Sequence, residues 1–228
     1  MYRPSRIALM LLALAGAAAS PASAQLIGTG TGTNIFPFGG ANSGPASTIY
    51  QQIYASSDFG GPELISAIEF FRAGVGDLRS GTYDLYLSTT TVAVIGLNTT
   101  DYDSNRGADN TLFGSYVLSG AAPATLVFAG TPFAYDPSDG NLLLDVRVSD
   151  ASPTVSGAAP FLANRGDAGG VYSRATDFIP VGATSFVDWG LVTQFDATPI
   201  TAAPEPASLW LMSTGVVGVA AIRRRRRR

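Results

Sequence analysis

The sequence predicts an all-β protein, an antiparallel β-sandwich of jelly-roll type. Apolar residues recur with a period of two in short runs, the spacing of strands with one buried face. Clusters of Gly, Pro, Asn and Asp interrupt those runs at turn spacing. Between residues 25 and 203 no stretch keeps a helical apolar period for three turns, and no internal repeat stands out.

In chain order, residues 25–47 form a Gly/Thr/Ser-rich lead-in, expected to be extended or loosely ordered. Its Gly28, Gly30 and Gly32 lack the flanking strand and helix of a phosphate loop. The sandwich domain is expected over 48–200. Residues 48–54 put Tyr50, Gln52 and Tyr54 on one face and Ile49, Gln51 and Ile53 on the other. Residues 64–72 align Ile68 with Phe70, and residues 82–88 align Tyr83, Leu85 and Leu87 against Asp84 and Tyr86. Residues 141–149 set Leu142, Leu144, Val146 and Val148 against Asp145 and Arg147. Residues 186–195 read as a last strand with Val187, Trp189, Leu191 and Phe195 on one face. Asp136 to Asn141, Asn164 to Asp167 and Ala168 to Gly170 carry turn chemistry.

The two ends read differently. Residues 1–24 form a signal peptide: Arg3 and Arg6, then an apolar run from Ile7 to Ala19. A small-residue cleavage site follows at Ala22 and Ala24, ahead of Gln25. Residues 25–203 hold six arginines against sixteen acids, a formal charge of −10. That charge repels phosphate backbones, so nucleic acid is not an expected partner. With no Cys, no disulfide supports the exported domain. With no His either, a Ser-His or Cys-His relay has no members.

The C-terminus, 201–228, joins three elements: Pro204-Glu205-Pro206, an uncharged apolar run over 207–222, and Arg223, Arg224, Arg225, Arg226, Arg227 and Arg228. As a transmembrane helix the run is about 24 Å long, a little short of a hydrocarbon core of about 30 Å. Trp210 suits the interface near its start, and the arginines stop transfer on the cytoplasmic side. On physical grounds a plain, permanently membrane-anchored ectodomain fits as well.

The order of those elements resembles the PEP-CTERM protein-sorting signal of Gram-negative bacteria. The resemblance implies recognition of Pro204, Glu205 and Pro206 by an exosortase, a membrane enzyme supplied in trans. It also implies an inner-membrane intermediate, loss of the tail near the tripeptide, and delivery to the cell surface or exopolysaccharide matrix. Stretches such as YDSNRGADNTLF and GTPFAYDPSDGNLLLDV look like ectodomains that accompany this signal, with no activity attached.

Three groups in the body are candidates for chemistry. Asp101, Asp103, Asn105 and Asp109 space oxygen ligands as a calcium loop does, although Gly107 and Leu112 depart from the helix-loop-helix pattern. The same residues serve a solvated turn equally well. Tyr50, Tyr54, Tyr83, Tyr86, Tyr102, Trp189 and Phe195 read as either a sugar-stacking platform or core. Glu63 and Glu69 are the only glutamates available to a carbohydrate-active enzyme acting on exopolysaccharide. No catalytic residue is assigned, and the expected role is structural or binding, toward exopolysaccharide or surface proteins.

Overall fold

A computed structural model describes residues 23–39, 48–152, 157–178 and 182–200. The segment expected as a signal peptide, up to Ala22, and the whole C-terminal segment from 201, with its apolar run, lie outside the described residues. The strands are β1 (Ser23–Ile27), β2 (Gly32–Asn34), β3 (Ile49–Tyr54), β4 (Glu63–Phe71), β5 (Gly81–Thr90), β6 (Thr111–Leu118) and β7 (Thr125–Tyr135). They continue as β8 (Asn141–Ser149), β9 (Phe161–Arg165), β10 (Tyr172–Phe178), β11 (Gly182–Phe186), β12 (Trp189–Leu191) and β13 (Thr193–Pro199). Two 3-10 turns, η1 (Ser56–Asp58) and η2 (Tyr102–Asn105), are the helical pieces among the described residues. None of these is long and apolar enough to cross a membrane.

Every pairing between these strands is antiparallel. One sheet has four strands in the order β1-β13-β4-β7, a second has six in the order β11-β10-β3-β8-β5-β6, and a small third runs β12-β9-β2. The predicted inner faces meet in one apolar cluster: Tyr83, Leu85, Leu87, Leu142, Leu144 and Val146 from the six-stranded sheet, and Ile68, Phe70, Phe128 and Phe195 from the four-stranded one. Tyr54 meets Phe195 edge-on across the gap at 5.0 Å. Each such fully buried ring contributes about 1.5–3 kcal/mol by leaving water.

Two expectations need correction. The described part of the lead-in, to Gly39, is part of the folded domain: Gln25 pairs with Phe195, and Thr33 with Leu162. The strand expected over 186–195 is divided among the end of β11, a turn, β12 and the start of β13. The turn forms because Asp188 adopts a left-handed φ of 58°, a conformation an Asp side chain tolerates better than most.

The outer face of the six-stranded sheet is covered as well. Ile53, Leu143 and Ala175 point outward into a second cluster with Leu97 and Tyr102. The segment after β5 therefore lies over the sheet, and it carries the acidic loop with it.

Candidate functional site

The four residues expected as calcium ligands are not gathered around one point. Asp101 caps η2, its carboxylate accepting from the Asp103 and Ser104 amides at 3.2 and 3.3 Å. Asp103 pairs with Arg106 and Arg147, each at 3.1 Å. Asn105 is buried and donates to Gln51 at 2.7 Å and to the Asn98 carbonyl at 2.8 Å, while accepting from the Asn98 amide. Asp109 accepts from the Thr89 amide at 2.8 Å. Among the described residues no group of three or more acids sits close enough to hold a metal ion. What the loop does is deliver Arg106 to Asp145, 2.7 Å away and buried on the outer face of β8.

Glu63 and Glu69 lie on opposite faces of β4. Glu63 is turned inward and buried, with Oε1 lacking a hydrogen-bond partner, and burial raises its carboxyl above the ordinary value. Glu69 is half-buried on the outer face and accepts from Gln194 at 3.2 Å. Six residues of strand separate them by about 20 Å, well beyond the span of about 5–9.5 Å that paired glycosidase carboxylates require.

Of the seven aromatic candidates, Tyr50, Tyr54, Tyr83 and Phe195 are fully buried and Tyr102 nearly so. Tyr86 and Trp189 keep part of their rings accessible. Tyr86 lies under the Arg106 guanidinium at 5.5 Å. Trp189 is stacked on Phe186 and has Arg165 4.7 Å from its centroid.

Turn chemistry marked Asn164 to Asp167 as a loop tip, yet Asn164 is a buried hub. Its carbonyl accepts from the Thr29 amide at 2.9 Å and the Tyr172 hydroxyl at 2.6 Å. Its amide donates to the Thr29 hydroxyl and to Asp167. The Thr31 hydroxyl, then Asn164 and the Arg165 amide, hold the exposed Asp167 carboxyl below its ordinary range. Beside this hub opens a cleft of about 350 Å³, lined by Leu26, Thr29, Asp58, Val171 and Tyr172 among others. Burial raises the Asp58 carboxyl, and its Oδ2 has no partner. Local sequence gives Asn164 only its turn partners Asp167 and Tyr172; its role as a hub depends on Thr29, 135 positions away.

The last described residues lead straight to the C-terminal signal. The Ile200 amide donates to the Pro62 carbonyl at 2.8 Å. Pro199 and Ile200 line a second hollow of about 380 Å³ with Gln25, Pro62 and Glu63. The first and last described residues thus lie at one end of the β1/β13 ladder.

No curated protein and no solved structure matches this chain. One family does: the PEP-CTERM protein-sorting motif, over residues 202–227. That match takes in Pro204, Glu205, Pro206, the apolar run and all but the last arginine. The chain therefore carries a PEP-CTERM protein-sorting motif, the mark of an exported protein directed to an exosortase.

Proposed function

We propose that the chain is a non-catalytic component of the cell surface or exopolysaccharide matrix, anchored briefly in the inner membrane and released when an exosortase cuts near Pro204 to Pro206. The observation that carries this reading is the sorting motif at 202–227, directly after a folded domain that ends at Pro199. The domain itself we read as a jelly-roll sandwich. From β3 to β8 the chain visits the six-stranded sheet, the four-stranded, the six-stranded twice, the four-stranded and the six-stranded again. With β1 and β13 added, this is the double Greek-key order of that fold. The fold carries no activity with it. The separation of Glu63 from Glu69 supports a binding or structural role over hydrolysis of polysaccharide.

Intact mass of the protein recovered from cells and medium of its native host tests the sorting reading. The expected species begins at Gln25 and ends near Pro204 to Pro206. A species that retains Arg228 and stays in the membrane fraction makes the tail a permanent anchor and overturns the reading. Cleavage of the host's exopolysaccharide by the full chain, lost on Glu63→Gln, would overturn the non-catalytic assignment.

A further inference from the structure

Arg174 is the most anomalous side chain in the domain. It sits on β10 opposite Gln52 of β3, on the inner face of the six-stranded sheet, and is 4 % exposed. Its Nε and Nη1 have no hydrogen-bond partner. Among the described residues no carboxylate lies within ion-pair distance of it or of Arg165. A buried cation costs several kcal/mol unless paired, and this domain has sixteen acids from which a partner was available. Instead the guanidinium lies 4.7 Å from the Phe186 centroid and 5.5 Å from that of Trp189. Arg165 packs against the same indole. Burial pushes the Arg174 pKa down; the Tyr50 hydroxyl opposes this and the Arg165 charge adds to it.

The turn over Arg174 is also unusual. Asp188, at φ 58°, carries a backbone cost on the order of 1 kcal/mol. Three hydrogen bonds hold it: its amide to Ser173, the Gly166 amide to its carbonyl, and the Gly170 amide to its carboxylate. Asp188 thus sets the backbone from which the Trp189 side chain reaches the cation.

We propose that Arg174, Arg165 and Trp189 form a binding site for a hexuronate, with Arg174 taking the sugar's carboxylate. The proposal deepens the reading of a matrix-binding domain and rests on it for the source of the ligand. Of the two guanidiniums only Arg174 is buried, Arg165 being exposed to water, so the desolvated charge to be matched is a single one; a phosphate ester, at about −1.5 to −2, would bring excess charge inside. The free Nε–H and Nη1–H lie on different edges of the planar guanidinium, so the carboxylate fills one and a hydroxyl oxygen of the same sugar the other. The half-buried Trp189 indole supplies the apolar surface beside the guanidinium. A formal charge of −10 disfavours a groove that tracks a polyanion, so the site reads one residue of a chain. Trp189 is half-buried, and a rotamer change of its ring opens the way to the guanidinium.

The test uses the full chain in detergent with Trp210→Phe, which leaves Trp189 as the only tryptophan. Glucuronate, glucose and an oligouronate are titrated while Trp189 fluorescence and the melting temperature are followed. Saturable change with glucuronate at millimolar concentration, absent with glucose, is expected. Arg174→Met should keep or raise the melting temperature and abolish the response, and Arg165→Gln should weaken it roughly tenfold. A response to the oligouronate alone, also lost in Arg174→Met, makes the polymer the ligand and upholds the site. Equal responses to glucose, no response to either uronate, or a response indifferent to Arg174→Met and Arg165→Gln, would leave Arg174 an internal cation–π clamp. Loss of this proposal leaves tail processing untouched, and a retained tail leaves uronate binding untouched, so the two readings fail separately.

Discussion

Two guanidiniums converge on one oxygen of Asp145: Arg106 at 2.7 Å and Arg147 at 2.9 Å. The carboxylate is 1 % exposed and each arginine side chain 24 %. Removing the shared anion leaves the two cations only the exposed Asp103 as a partner, whereas removing one arginine leaves the buried anion still paired. Because the arginines reach water, Asp145→Asn should cost about 2–3 kcal/mol, at the low side of a broken buried pair. Arg106→Gln should cost roughly 1 kcal/mol. Urea unfolding measures both, and equal costs would show that Arg147 does not share the charge. Glu63 carries a different kind of penalty. Burial raises its carboxyl above the ordinary 4.5, so the ionised form is the disfavoured one in the folded domain. Its contribution is fully present below 4.5 and is lost as pH rises through the folded value. Glu63→Gln should therefore raise the melting temperature at pH 7, and the gain should shrink to nothing below about pH 4. A gain that persists in acid would trace to packing rather than charge.

The segment between β5 and β6 is a cover for the outer face of the six-stranded sheet. Leu97 and Tyr102 bury Ile53, Leu143 and Ala175, and the Gln51 amide reaches the Tyr102 carbonyl at 2.9 Å. Its acids are engaged by protein donors, so chelator, or added calcium, should leave the melting temperature unchanged. A rise with calcium would mean these oxygens rearrange around the ion. Gly107 is required for contact rather than coordination, since a Cβ there would fall 1.7 Å from the Thr89 carbonyl oxygen. Gly107→Ala should cost more than about 2 kcal/mol, as overpacking against backbone does. Period-two reading found β3, β4, β5 and β8 because their inner faces are mostly apolar, with Gln52 and Glu63 as the polar exceptions. It missed β7, where Gly130, Thr131 and Pro132 fall in a register shift opposite the β4 bulge between Ile65 and Ala67. It missed β10, where Arg174 stands at an inward position between Tyr172 and Thr176. Asp145 followed the alternation correctly, but local pattern carries no sign of a cover folded from forty residues away. The sorting motif was legible because it is read by sequence order alone, and Asn164 and Arg174 were not because their meaning lies in residues distant along the chain.

At the scale of the molecule, the first and last described residues lie at one end of one ladder. β1 pairs antiparallel with β13, so Ser23 lies opposite Ala197, two residues from the end of β13. Cleavage before Gln25 leaves Gln25, Leu26 and Ile27 in the sheet, and Ile27 is buried in the core. β1 is the edge of the four-stranded sheet; without it β13 would present its open side next to the segment that carries the sorting motif. Pairing of β1 therefore closes that edge against another strand. The chain has no cysteine, which makes the pairing directly testable. Leu26 is exposed and lies opposite Gln194, so Leu26→Cys with Gln194→Cys should form a disulfide in the exported, signal-free protein. The bond should add about 2–4 kcal/mol to stability and appear as the loss of both free thiols. If the thiols stay free, β1 leaves the sheet once the signal is removed, and the domain meets the exosortase with β13 as an open edge.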